Sequence, residues 1–142
     1  MADIVFNIVK GACAEKFRDS AANGIILLLT TAEADAAVAD HDNLSVMLAG
    51  SSVEATGGSY VRKTGITGSI TVDDSNERVD VDMPDQTWTA PTGHTVVKAV
   101  FAYEEAAADT TRLPLTQQDF SVTTDGSDLT IQLNAAGFYR AA

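Results

Sequence analysis

The sequence predicts a mainly β fold, an antiparallel β-sandwich or barrel-like domain with a short helical insertion. Arg78 to Met83 alternates strictly, with Val79, Val81 and Met83 on one side and Arg78, Asp80 and Asp82 on the other, as a half-buried strand requires. Phe120 to Thr124 and Leu129 to Leu133 repeat the alternation on either side of Asp125-Gly-Ser-Asp128, a hairpin signature. From Thr64 to Tyr139 apolar runs and turn residues follow one another at intervals of roughly ten residues, the spacing of sandwiches and small barrels. A chain of 142 residues, 45% of them hydrophobic, is long enough for one domain with a genuine core. Residues 1–142 are therefore read as a single domain, with 1–20 as an N-terminal arm or edge strand and 31–50 as the helical insertion.

Ile4 to Val9 reads as a first strand with apolar side chains on both faces, Ile4, Phe6 and Ile8 on one of them. Lys10, Lys16 and Arg18 follow, a third of the positive charge within the first 18 residues. Two readings of this segment stand side by side. It is a solvated loop or lysine-protected edge of its own sheet, or it docks onto an acidic neighbour such as another copy. The second makes Ile4, Phe6, Ile8, Lys10, Lys16 and Arg18 candidate assembly contacts.

Asn23-Gly24 closes a polar stretch, and Ile25 to Leu29 reads as a central strand. Thr30-Thr-Ala-Glu33 matches a capping box ahead of an alanine-rich helix over 33–40. Asp42 or Asn43 caps a second short helix, Leu44 to Leu48, which Gly50 stops. Residues 51–59 are small and polar and read as an exposed loop. Strands are expected over Tyr60 to Lys63, Ile66 to Val72, Glu77 to Met83, Thr87 to Thr89 and Val96 to Tyr103. The last is apolar on both faces apart from Lys98 and belongs at the centre of a sheet. Pro84, Pro91 and Pro114 fall between these runs.

Nine Lys plus Arg against twenty Asp plus Glu give a net charge of −11. That sign repels phosphate backbones and anionic lipid surfaces, so neither nucleic acid nor membrane is an expected partner. No apolar run approaches the roughly 20 residues of a membrane span, and the first residues lack the basic start of an export signal. Synthesis in the cytoplasm is the expectation.

Chemistry-bearing residues are sparse. Cys13 is the single cysteine and reads as a small buried hydrophobe. Residues 73–85 hold six carboxylates, an oxygen density that suits calcium, but their order lacks the glycine and glutamate positions of an EF-hand loop. A turn at Asp73 to Asn76, followed by a strand whose wet face carries Asp80 and Asp82, explains them more simply. His41 and His94 have no recognisable partner in sequence, and no Gly-x-Ser-x-Gly, HExxH or phosphate-cradling loop accompanies them. The expectation is a protein that is not an enzyme, with no catalytic residues, no metal site and no cofactor.

Several strings resemble small structural proteins of tailed-bacteriophage virions. These are Tyr60 to Thr64, Val72 to Asp82, Asp85-Gln-Thr-Trp88, Asp119 to Asp128 and Ala136 to Ala142, with Asp42 to Leu48 extending the match. The resemblance implies a virion component without an enzymatic signature, and it carries over no binding residue. A capsid decoration, or cement, protein needs a small rigid fold, solubility before assembly, many copies and no catalysis, and this chain suits those needs. The expected function is binding to the outer head surface and stabilising the shell. Expected partners are the major capsid protein, further copies of the chain as a homo-oligomer, or both. The alternatives are a neck, tail or fibre-associated structural protein, and a carbohydrate- or calcium-binding adhesion module.

Overall fold

The computed structural model describes residues 4–6 and 13–141, and they form a mainly β protein of antiparallel sheets with short helices. The largest sheet runs in the order β1 (Ile4–Val5), β9 (Arg112–Asp125), β8 (Thr92–Glu104), β2 (Gly24–Thr31), β3 (Val53–Glu54), with β4 (Lys63–Ile66) also on β2. A three-stranded sheet places β6 (Arg78–Asp82) between β5 (Ser69–Asp73) and β11 (Tyr139–Ala141). A two-stranded sheet pairs β7 (Gln86–Trp88) with β10 (Leu129–Ile131). The helices are α1 (Cys13–Asp19), α2 (Asp35–Val38) and α3 (Leu44–Ala49).

The centre is the β2–β8 ladder, in register from Gly24↔Tyr103 to Leu29↔Lys98. Residues opposite one another in an antiparallel ladder share a face. Ile25, Leu27 and Leu29 therefore lie with Lys98, Val100 and Ala102 on one face, and Gly24, Ile26 and Leu28 with Ala99, Phe101 and Tyr103 on the other. Ile25 to Leu29 are all buried, so both faces are covered. Each such side chain taken from water stabilises the fold by about 1.5–3 kcal/mol.

On the second face, Phe138 stacks on Phe101 at 5.2 Å and Phe17 of α1 meets Tyr103 edge-on at 5.2 Å. Here the three-stranded sheet comes so close that a Cβ on Gly24 would lie 2.8 Å from Met83 Sδ. On the first face, α2 is tied down by Lys98 Nζ, 3.0 Å from Asp35 Oδ1. Val38, Leu44 and Met47 of α2 and α3 join the same core. Asn43 Oδ1 accepts from the Val46 N–H at 3.0 Å, and α3 ends at Gly50, as its sequence predicts.

Several local expectations give way to tertiary pairing. Residues 13–19, expected within an arm or edge strand, form a helix because Cys13 and Phe17 stand four apart and share a buried face. The expected capping box does not form: Thr30 belongs to β2 and donates to the Val53 carbonyl, while Glu33 reaches His41 and the Ser51 N–H. The expected exposed loop at 51–59 contains buried Ser52 and Ala55 and the strand β3, since β2 needs an edge partner there. Ile66 to Val72 is split into β4 and β5 at Gly68, whose N–H donates to Ala21 O and which has Phe17 against its Cα.

The expected C-terminal hairpin is also absent. β9 takes β8 as its partner, and β10 crosses to β7. The turn is anchored for that crossing, with the Gly126 N–H on Pro91 O and Asp128 Oδ1 accepting from the Ala90 N–H. Pro114 lies within β9 rather than between strands, beside a register shift at Phe101/Ala102, where an irregular ladder tolerates a missing N–H.

Ile4 and Val5 pair with Thr116 and Gln117 of the same chain, and the Phe6 N–H donates to Leu115 O at 3.1 Å. Phe6 is fully buried. Phe6→Ala should therefore lower unfolding stability by about 3–5 kcal/mol in urea titrations of dilute monomer. An unchanged midpoint would mean that the side chain serves contacts outside its own fold.

Candidate functional site

The residues nominated from sequence do not converge on one place. Ile4 lies in edge strand β1, Phe6 is in the core, and Ile8 and Lys10 fall outside the described residues. Lys16 is ion-paired with Glu105, and Arg18 Nη1 sits 2.6 Å from Glu15 Oε1 within α1. Both cations thus have carboxylate partners in their own chain.

The groups with most chemical potential lie elsewhere, in polar clusters at the edges of the core. Lys98, only 6% exposed, projects from the middle of β8 between Asp35 at 3.0 Å and Asp119 at 2.7 Å. Buried Gln117 donates to the same Asp35 oxygen at 3.3 Å. Burial works against the charged lysine, but the two carboxylates outweigh it and hold the ammonium pKa above the ordinary value. Lys98 forms one wall of a cleft of about 550 Å³, lined also by Thr30 to Asp35, Val97 and Asp119. A lysine held protonated in this way is neither base nor nucleophile at neutral pH. Its role in the cleft is electrostatic.

A second cluster begins at the backbone of β2. Between the stretches covered by β3 and β4, the Leu28 N–H donates to the Tyr60 hydroxyl at 3.0 Å, and that hydroxyl donates to Glu54 Oε1 at 3.0 Å. Arg62 Nε donates to Glu54 Oε1 at 3.0 Å, and its Nη1 reaches Asp109 Oδ1 at 2.6 Å. Arg112 then joins Asp109 at 2.9 Å and Glu104 at 2.8 Å. Arg62 beside it holds the Asp109 carboxyl below the usual range despite partial burial. Burial and the Glu54 charge push the Tyr60 phenol well above its ordinary value. Trp88 stacks on Tyr60 at 6.2 Å and donates from Nε1 to Val61 O at 2.8 Å, fastening the two-stranded sheet to this corner.

The third cluster corrects the expectation of a wet Asp80. It is 8% exposed, held by Arg140 Nε at 2.6 Å and Arg78 Nε at 3.2 Å. Asp73 at the end of β5 is bound by Asn76 and Arg78 in the turn expected there. Among the described residues no three His, Cys, Asp or Glu side chains are grouped to hold a metal ion.

Both histidines have partners that sequence could not reveal. His41 Nε2 lies 2.7 Å from Glu33 Oε2, while Glu33 Oε1 accepts from the Ser51 N–H at 2.9 Å. The Ser51 and His41 contacts hold the Glu33 carboxyl below its ordinary pKa. His94 Nε2 is 2.9 Å from Gly57 O, and a carbonyl only accepts, so that nitrogen carries the proton. Cys13 is buried, which pushes its thiol up to about 12 and leaves it protonated and unreactive. No family model matches this sequence, and neither a curated protein nor a solved structure matches it.

Two outcomes follow from this geometry. Tyr60→Phe should cost about 1–3 kcal/mol in thermal or urea unfolding, because the buried Leu28 N–H loses its acceptor while the ring is kept. Acid should destabilise the protein as well. Asp109 and Glu33 have folded pKa values below their unfolded ones, so their contribution is complete above the unfolded values and is lost as pH falls through the folded ones. Stability measured from neutral pH downwards should begin to fall near about pH 5 and continue below about pH 4.

Proposed function

We propose that this chain is a non-enzymatic virion structural protein, a decoration subunit that binds the outer surface of a phage head and stabilises the shell. The observation that carries this reading is where the strings resembling virion proteins lie. They fall on α3, β4 to β7, the end of β9, β11 and the adjoining turns, around the central β2–β8 ladder rather than on it. A resemblance carried by structural strings alone supports a protein whose work is to be a rigid piece of a larger object.

Electrostatics supports the same reading. All five arginines are ion-paired within the chain, so the excess of eleven negative charges is left to the exterior. Such a surface gains nothing from DNA and suits the outside of a particle. A subunit that binds assembled shell in preference to free shell protein stabilises the lattice by mass action.

Quantitative mass spectrometry of intact, purified particles tests the proposal. On the order of hundreds of copies per particle, with heat resistance lost when the chain is stripped and regained when it is added back, is the expected result. A dozen copies or fewer would assign the chain to neck or tail. Absence from purified particles would overturn the reading.

A further inference from the structure

The three-stranded sheet extends past the core that covers it. In its register Ile70 faces Val81 and Val81 faces Tyr139, a row that is closed off: Val81 is fully buried, Tyr139 is 6% exposed, and Ile70 packs against the core. The next row outwards on the same face is Val72, Val79 and Ala141. Here Val72 is 60% exposed and the other two are only half-buried. A concavity of about 370 Å³ opens over this row, rimmed by Asp74, Glu77 and Arg78. The row stands at the margin of the sheet, for β5 pairs with β6 alone among the described residues. An apolar row in a concavity beside an unpaired strand is the layout that strand addition uses: the backbone supplies the ladder and alternate side chains fill the pocket.

Charge selects the occupant. Arg78 is drawn back onto Asp73 and Asp80, at 3.1 and 3.2 Å, which leaves Asp74 and Glu77 exposed at the rim of an already acidic protein. A second copy would bring its own excess of negative charge and the same acidic rim to the contact. We propose that β5 is a docking edge for an extended segment of a partner protein that carries apolar residues at alternate positions and lysine or arginine beyond the last of them. The apolar side chains continue the Val72 row on one face, and a basic residue beyond the end of that row meets Asp74 and Glu77, which rim the same concavity. The inference rests on reading the chain as an assembly subunit, and it names the chemistry of the partner strand.

The test uses the full chain and a short synthetic peptide of alternating valine and threonine flanked by lysines, followed by backbone amide shifts in NMR titrations. Saturable shifts confined to residues 69–73 and their β6 neighbours are expected. Val72→Lys puts a charge on the edge and into the apolar row, and should weaken binding at least about tenfold. Val72 is exposed, so this change leaves the fold intact; Val72→Ile should retain binding. Asp74→Asn with Glu77→Gln should weaken binding and reduce its dependence on salt. Shifts spread over the whole acidic surface, or equal affinity in Val72→Lys, would reduce the contact to unspecific charge attraction and overturn the proposal. Concentration-dependent shifts at the same residues without peptide would overturn it in favour of a second copy. If peptide binding holds but the chain is absent from particles, the virion reading fails and the docking edge stands.

Discussion

The rest of the structure depends on one constraint: the β2–β8 ladder is apolar on both faces and must be covered twice. Ile25, Leu27 and Leu29 cannot face water any better than Ile26 and Leu28 can. This demand draws α2 to one face of the sheet, with α3 joining the same core. It draws α1 and the three-stranded sheet to the other, where Phe17, Met83 and Phe138 close over Gly24, Phe101 and Tyr103. Gly24 is glycine because a Cβ there would lie 2.7 Å from the Ile66 carbonyl of β4 and 2.8 Å from Met83 Sδ of the second layer.

A sheet covered on both sides still has edges and ends, and the polar clusters sit there. β2 is paired on its outer edge by two short strands, and the Leu28 N–H in the gap between them is answered by a side chain, Tyr60. A phenol in that position is itself part of the interior, and its hydrogen goes to Glu54, which in turn holds Arg62. On β8, which is paired along both sides, the long side chain of Lys98 reaches from the covered face to carboxylates of α2 and β9. Buried ion pairs of this kind contribute little net stability but penalise any packing that separates the partners. They make the arrangement of the layers specific.

The same arrangement governs what the protein offers to others. With every arginine paired to a carboxylate of its own chain, the exterior is acidic, and the ionisable interior is committed to holding elements together. Among the outward apolar side chains, Val72 stands where one layer extends past another, at the end of β5. Interaction surfaces of this type come from mismatch in the lengths of packed layers and need no dedicated motif.

Sequence by itself determined the features whose causes are local. The alternation in Arg78 to Met83 is a strand in the structure, the run Ile25 to Leu29 is central, and Asn43 and Gly50 bound α3. Period and caps act within a few residues, so neighbouring letters reveal them. Only the tertiary structure decided which strand pairs with which. The turn at Asp125 to Asp128 has hairpin chemistry, yet β8 outcompetes β10 for β9 because it offers a far longer ladder. Thr30 to Glu33 has the letters of a capping box, yet Thr30 is more useful to β2 and Glu33 to His41. Asp80 looks like a solvent-facing charge by period, and it is buried because Arg140 arrives from a distant part of the chain, as Asp35 and Asp119 do for Lys98 within its central strand. Burial depends on what is laid over a residue, and that is set by contacts dozens of residues away.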